Sequence, residues 1–147
     1  MSNNSKIDTL VNIEETGEFV VNIIGDWMVE AANHTSGDFP KEVDEMDLVG
    51  LTPLPSEVVA PPRVAESAFH MECRLTGKHE IVNDSGATTS TVVFGRVLRF
   101  HVLEPLLEVS SRGNPQVRFD GFAPLGRLGG NTWCHIGHRF DLARPSL

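Results

Sequence analysis

The run from Ser90 to Val102 constrains the fold more than any other part of the sequence. It contains no proline and is rich in β-branched and aromatic residues. On a two-residue repeat Val92, Phe94, Leu98, Phe100 and Val102 share one face, with Arg96 the only charged residue among them. Thr91, Val93, Gly95, Val97, Arg99 and His101 fall on the other. A strand of that length with a glycine at its middle is expected to bend, as the wall of a barrel does. Ser67–Leu75 has the same β-rich character, and Asn83-Asp84-Ser85-Gly86 supplies turn residues between the two.

The first half reads differently. Asp8 or Thr9 can cap a short helix over Leu10–Glu15, with Leu10, Ile13 and Val11 toward the interior, and Gly17 stands where a helix ends in a left-handed residue. Glu18–Ile24 is a β-rich run bounded by Gly25. A second short helix is predicted over Asp26–Asn33, capped by Asp26, with Trp27, Met28 and Ala31 on one face. From His34 to Pro62 five prolines break any long element, although Asp44–Val49 can make one helical turn anchored by Met46 and Leu48. The tail from Pro124 holds a glycine-rich turn, and Arg139–Arg144 reads as a closing strand. Helix, strand and helix followed by several strands predict an α+β, mainly β fold built on an antiparallel barrel.

Composition narrows the function. With 147 residues the chain, 1–147, fits a single domain, residues 1–7 forming a polar tail. No apolar run approaches the ~18 residues of a membrane span, and Met1–Lys6 lacks the apolar core of a secretory signal. Two cysteines, Cys73 and Cys134, suit a reducing compartment, so a cytoplasmic location is expected. The net charge of −8 is uneven: residues 1–66 carry 13 acidic and 3 basic side chains, residues 67–147 carry 7 acidic and 9 basic. That imbalance fits a solvated acidic surface, or a basic second half that faces an anionic ligand. An acidic chain without a basic stripe argues against nucleic acid as a partner.

Several short motifs resemble, in order, the flavin-reductase-like, FMN-binding split-barrel family. They are Asp8-Thr9-Leu10 with Asn12-Ile13 and Thr16-Gly17-Glu18-Phe19-Val20-Val21-Asn22; Asn33 with Thr35-Ser36; Asp44-Glu45; and Gly50-Leu51-Thr52-Pro53. Pro62-Arg63-Val64 with Glu66-Ser67, Glu72-Cys73, and Pro124-Leu125-Gly126-Arg127-Leu128-Gly129-Gly130 followed by Trp133 complete the series. The resemblance implies a split β-barrel, FMN as cofactor, electron transfer between NAD(P)H, flavin and an acceptor, and a homodimer. In that family strands bearing an S-x-F-N-like element precede the Asp-Thr motif, so this chain reads as a shortened member without the opening strands. The alternative is a cofactor-free paralogue, a small biosynthetic enzyme or a binding module.

The resemblance also assigns candidate residues. A Lys-Asp-Thr motif at a helix start holds the FMN phosphate in the family; here it reads Lys6-Ile7-Asp8-Thr9, with one residue inserted. Helix-terminal N–H groups, a hydroxyl and the helix dipole suit an anion there, although Asp8 and Thr9 can equally serve as caps. Asn33, Thr35 and Ser36 can donate to flavin or substrate, or close a turn. Arg127 offers a fixed fork for phosphate or carboxylate, Gly129 and Gly130 let backbone approach a flat ligand, and Trp133 can cover a ring or pack the interior. Cys134, His135 and His138 have the wrong spacing for zinc, so no metal is expected. His135 and His138 are the candidate proton donors, since histidine titrates near neutrality.

Overall fold

The computed structural model describes residues 8–40, 42–118, 121–137, 140 and 142–145. Helix α1, Asp8–Thr16, includes Asp8 and Thr9 in its first turn, so they belong to the helix itself instead of preceding it as caps. Ile13 is its buried residue. Gly17 ends it at φ 70°, a left-handed conformation that glycine adopts without strain. Strand β1 follows at Glu18–Asn22, and Ile23 and Ile24 extend its pairing, since the Ile23 N–H donates to the Phe69 carbonyl and Leu125 N–H to that of Ile24. A 3₁₀ turn at Asp26–Met28 leads into α2, Val29–His34. Met28 is buried, whereas Trp27 is exposed and donates its indole N–H to the Glu66 carbonyl at 2.7 Å.

The irregular stretch contains one helical turn, α3, at Glu45–Leu48. The Asp44 carboxylate caps it by accepting the N–H groups of Met46 and Asp47 at 3.0 and 3.3 Å. Of the two expected anchors only Met46 faces a core; Leu48 is half exposed, because a single turn offers the interior just one of its sides. Asp44→Ala is expected to cost about 1 kcal/mol, read as a lowered melting temperature. Short strands β2, Pro53–Leu54, and β3, Arg63–Val64, pair antiparallel around the proline-rich loop.

Strands β4, Phe69–Val82, and β5, Thr88–Val102, form the long hairpin that frames the molecule. With β1 they make a three-stranded sheet in the order β1-β4-β5, in which β5 is the outer strand. The strict alternation expected for β5 does not hold. Phe100 and Val102 face Met71 and Phe69, but the register shifts between Glu72 and Cys73, so that Val97 and Gly95 lie opposite Cys73 and Leu75. One extra residue in β5 therefore moves Val97 and Gly95 onto the side of Phe100, and puts Arg96 opposite Arg74. The charged residue that broke the apolar pattern in sequence is accommodated by the bulge. At Gly95 a Cβ would run into the ring of Phe19, so the glycine is there to admit an aromatic side chain.

Beyond the hairpin come a 3₁₀ turn at Glu104–Leu106, the small antiparallel pair β6, Leu107–Val109, and β7, Pro115–Val117, then the pair β8, Leu125–Gly129, and β9, Thr132–His135. Of the expected closing strand, Arg139 and Asp141 lie outside the described residues, and Phe140 and 142–145 form no strand. Two apolar clusters hold these parts together. Met28, Leu51 and Val64 pack with Ile24, Ala31, Met46 and Val49, while Ala68, Leu106 and Phe122 pack with Ile23, Phe69, Val102 and Val117. Among the described residues no helix is long and apolar enough to cross a membrane.

Candidate active site

The most strongly buried charge in the described chain is Glu72, near the start of β4, with none of its surface exposed. Its carboxylate accepts the N–H of Glu57 at 2.9 Å and those of Val58 and Val59 at 2.7 and 3.2 Å, and His101 Nε2 lies 2.6 Å away. Arg63 Nε stands 4.0 Å off. Burial alone would raise the carboxyl pKa, but the Val58 N–H and His101 outweigh it and hold it below the ordinary value. The proline-rich loop is thus fastened to the sheet by one carboxylate. A second, Glu18, accepts the Ala60 N–H at 2.9 Å.

His101 sits between Glu72 and Glu57, whose Oε1 is 3.9 Å from its Nδ1, and Glu57 also pairs with Arg99. Beside it, His70 is buried and its Nε2 is 2.8 Å from the Val64 carbonyl. Burial lowers its pKa, with Arg63 and His101 adding to the effect. Both rings line a cleft of about 700 Å³, together with Arg63, Phe69, Phe100 and Leu107. None of Glu72, His70 or His101 stood out as a site residue in the sequence. Their convergence depends on the β4–β5 register, which pairs His70 with His101 and Glu72 with Arg99.

Of the residues singled out from the sequence, Thr9, Arg127 and Trp133 line two smaller clefts. Thr9 lines one of about 470 Å³ with Asn12, Thr16, Ala60, Pro61 and Pro62, and Asp8 is exposed next to it in the first turn of α1. Lys6 lies outside the described residues. The other cleft, about 350 Å³, is lined by Asn22, Ile24, Ala32, Leu125, Arg127 and Trp133. There the Arg127 guanidinium lies over the Trp133 ring, 5.5 Å from its centroid, and donates to the Gly130 carbonyl at 3.0 Å. Gly129 and Gly130 make the turn of that hairpin, both at positive φ. Asn33 is exposed at the end of α2, while Thr35 and Ser36 donate their hydroxyls to the carbonyls of Ala32 and Asn33 at 2.9 and 2.7 Å, closing the turn. His135 is largely exposed, with Nδ1 3.2 Å from Asp26, and does not join the His70–His101 pair; His138 lies outside the described residues.

For FMN the fit is partial. The amino end of α1 leaves backbone N–H groups without helical partners beside the Thr9 hydroxyl, which suits a phosphate. The Thr35 and Ser36 hydroxyl protons are already committed, which leaves those oxygens only as acceptors. Residues 1–114 match the domain family described as flavin reductase like domain.

The chain belongs to the flavin reductase-like family.

An uncharacterised protein of Halalkalibacterium halodurans is 35% identical to this flavin reductase-like chain over 140 residues, 95% of the chain and 65% of that protein. The crystal structure of nitrilotriacetate monooxygenase component B from Bacillus cereus superposes with a TM-score of 0.83 at 35% identity, covering 94% of this chain and 66% of that one. For the 2-nitrobenzoate 2-nitroreductase NbaA of Pseudomonas fluorescens the values are 0.76 and 32%, with 94% and 64% covered. A Shewanella frigidimarina protein described as a flavin reductase with split barrel domain, 21% identical and with a TM-score of 0.78, shares the fold. The chain therefore has the split-barrel fold, and it spans just under two thirds of the length of the Halalkalibacterium halodurans, Bacillus cereus and Pseudomonas fluorescens relatives.

Proposed function

We propose that this flavin reductase-like chain is an FMN-binding oxidoreductase that takes electrons from NAD(P)H and passes them through the flavin to an acceptor. The observation that carries the reading is the cleft along one side of α1, where Thr9, Asn12 and Thr16 face Ala60, Pro61 and Pro62, below a first turn whose N–H groups have no partner within the helix. Such a helix end suits a phosphate monoester. Family membership and the nitroreductase named among its structural relatives support the same reading. Lys6 and Asp8 flank that cleft in sequence. Arg127, held over Trp133, offers its remaining N–H groups to a second anionic or carbonyl group, with Gly129 and Gly130 keeping the backbone low. The bound flavin supplies the hydride chemistry. The protein's part is to position it and to hold or move protons, for which His135 and His138 were the sequence candidates. The proposal includes a cytoplasmic homodimer, checked by light scattering.

Titration of purified protein with FMN is expected to quench flavin fluorescence, and Thr9→Val is expected to weaken FMN binding about tenfold, the equivalent of one hydrogen bond to a charged group. Unchanged fluorescence, with no NAD(P)H oxidation when flavin is added, would overturn the reading. One observation favours the cofactor-free alternative, a binding module or small biosynthetic enzyme: Thr35 and Ser36 use their hydroxyl protons to close their own turn. Retained binding of a small molecule by protein that leaves FMN unquenched would decide for it.

A further inference from the structure

Strand β5 has a partner on one side only. In the sheet order β1-β4-β5 its other edge is outermost, and among the described residues no backbone hydrogen bond leads from Thr88–Val102 to any element but β4. The outward N–H and C=O groups of that edge are open to an added strand. Two of the register shifts come from extra residues in β5, at Thr89 and at Leu98: Ile81 and Val82 face Ser90 and Thr88, and Glu72 and Cys73 face Arg99 and Val97. Between them β5 is regular. The first part of that stretch, Ser90–Phe94, contains no charge and no proline, and after Ser90 it is entirely β-branched or aromatic. Sheets guard their edges with charges, prolines and bulges. Here a bulge and Arg96 flank the stretch and leave its middle bare.

The same stretch carries exposed apolar side chains. In the register that pairs Gly77 with Phe94 and Ile81 with Ser90, Ile81, Val92 and Phe94 share one face, and they are 45%, 39% and 54% exposed. Neither apolar cluster of the body includes them.

We propose that this edge pairs with the same edge of a second copy of the chain, antiparallel about a two-fold axis at Val92, so that two three-stranded sheets become one. A two-fold axis sets an outer strand antiparallel to its copy, and an axis through a residue puts outward-pointing backbone groups opposite groups that also point outward. Val92 is the midpoint of Ser90–Phe94. With the axis there, Ser90 meets Phe94, Thr91 meets Val93 and Val92 meets its own copy, pairs rich in the aromatic and β-branched residues that stabilise neighbouring strands. Arg96 falls opposite Thr88 and Arg99 opposite Ser85, so no arginine faces an arginine; an axis at Arg96 would set two guanidiniums together. Ile81, Val92 and Phe94 of the two copies then make one continuous apolar strip. A different strand would meet no charge in Ser90–Phe94 that could select it, whereas a copy brings the same bare stretch at matching length. The inference gives a surface to the homodimer of the functional reading and rests on that homodimer, not on the flavin.

The test uses the full chain with Cys134→Ser, which leaves the buried Cys73 as the remaining native thiol. Val92→Cys places two thiols across the axis and is expected to give a disulfide-linked dimer under mild oxidation. In Ser90→Cys the two Cα atoms lie roughly 14 Å apart, beyond the ~7 Å limit for a bridge, so it is expected to stay uncrosslinked. In the otherwise native chain Val92→Lys sets two ammonium groups together at an exposed position, and is expected to raise the dimer Kd about a hundredfold by light scattering. A native chain that is monomeric overturns this inference and the homodimer together. A dimer in which Val92→Cys crosslinks no faster than Ser90→Cys, or that Val92→Lys leaves intact, overturns this inference alone. Species larger than a dimer also overturn it, because the two-fold pairing consumes both edges. A Val92-linked dimer that leaves FMN fluorescence unchanged upholds the surface while the flavin reading falls.

Discussion

Glu72→Leu is expected to destabilise the protein by about 3–5 kcal/mol, the range for removing one partner from a buried charged cluster. Leucine fills the space but leaves the N–H groups of Glu57, Val58 and Val59 without their acceptor and His101 without its anchor. Glu72→Gln keeps one carbonyl oxygen as an acceptor, and about 1–3 kcal/mol is the expected loss. The two variants also separate the charge from the shape. Because the folded-state carboxyl pKa lies below the ordinary value of 4.5, the ionised Glu72 contributes stability that is full above that value and is lost as the pH falls through the lower, folded value. Melting temperatures from pH 7 down to pH 3 should therefore fall less steeply for Glu72→Gln than for the wild type. Parallel curves would show that another group dominates the acid limb.

Gly95→Ala is the second large effect, expected at about 1–3 kcal/mol by overpacking. The new Cβ meets the Phe19 ring from the adjoining part of the sheet, and Phe19 is half buried and cannot swing freely into solvent. Phe19→Leu should recover part of the loss, so that the double variant is more stable than the sum of the singles predicts. Strict additivity in urea denaturation would place the cause in the backbone of Gly95 instead.

Much of the fold was legible in the sequence because its signals are local. Gly17 marks a helix end, Asn83–Gly86 a turn, and the β-branched run after Ser90 a long strand, each readable within a few residues. The family motifs extended that reading to the barrel. The faces of β5 were not legible, since a bulge is an agreement between two strands about one extra residue, and neither strand announces it alone. The same reason hid the Glu72 cluster. Glu57, Glu72 and His101 are distant in sequence, and only the pairing of β4 with β5 and the folding back of the proline-rich loop bring them together. Thr9, Arg127 and Trp133 were found because they sit in recognisable motifs, and the structure divides them between two clefts.

The long hairpin carries a second irregularity that answers the first. After the extra residue in β5 near Leu98, β4 contributes one of its own at Thr76, and from Gly77 opposite Phe94 the strands run again in the register they had at Phe69 and Val102. Cys73 to Leu75 thus form a short segment out of phase with the ribbon on either side. For a lineage acquiring insertions and deletions, the two bulges behave as a linked pair. Losing one residue at either site alone would slide the whole outer ribbon by one step and turn its side chains over. Losing one at each would leave a single unbroken register from Phe69 to Ile81, with the third shift, between Ile81 and Val82 beside the turn, unchanged, at the price of the bend that brings Arg96 beside Arg74 and opens the space for Phe19.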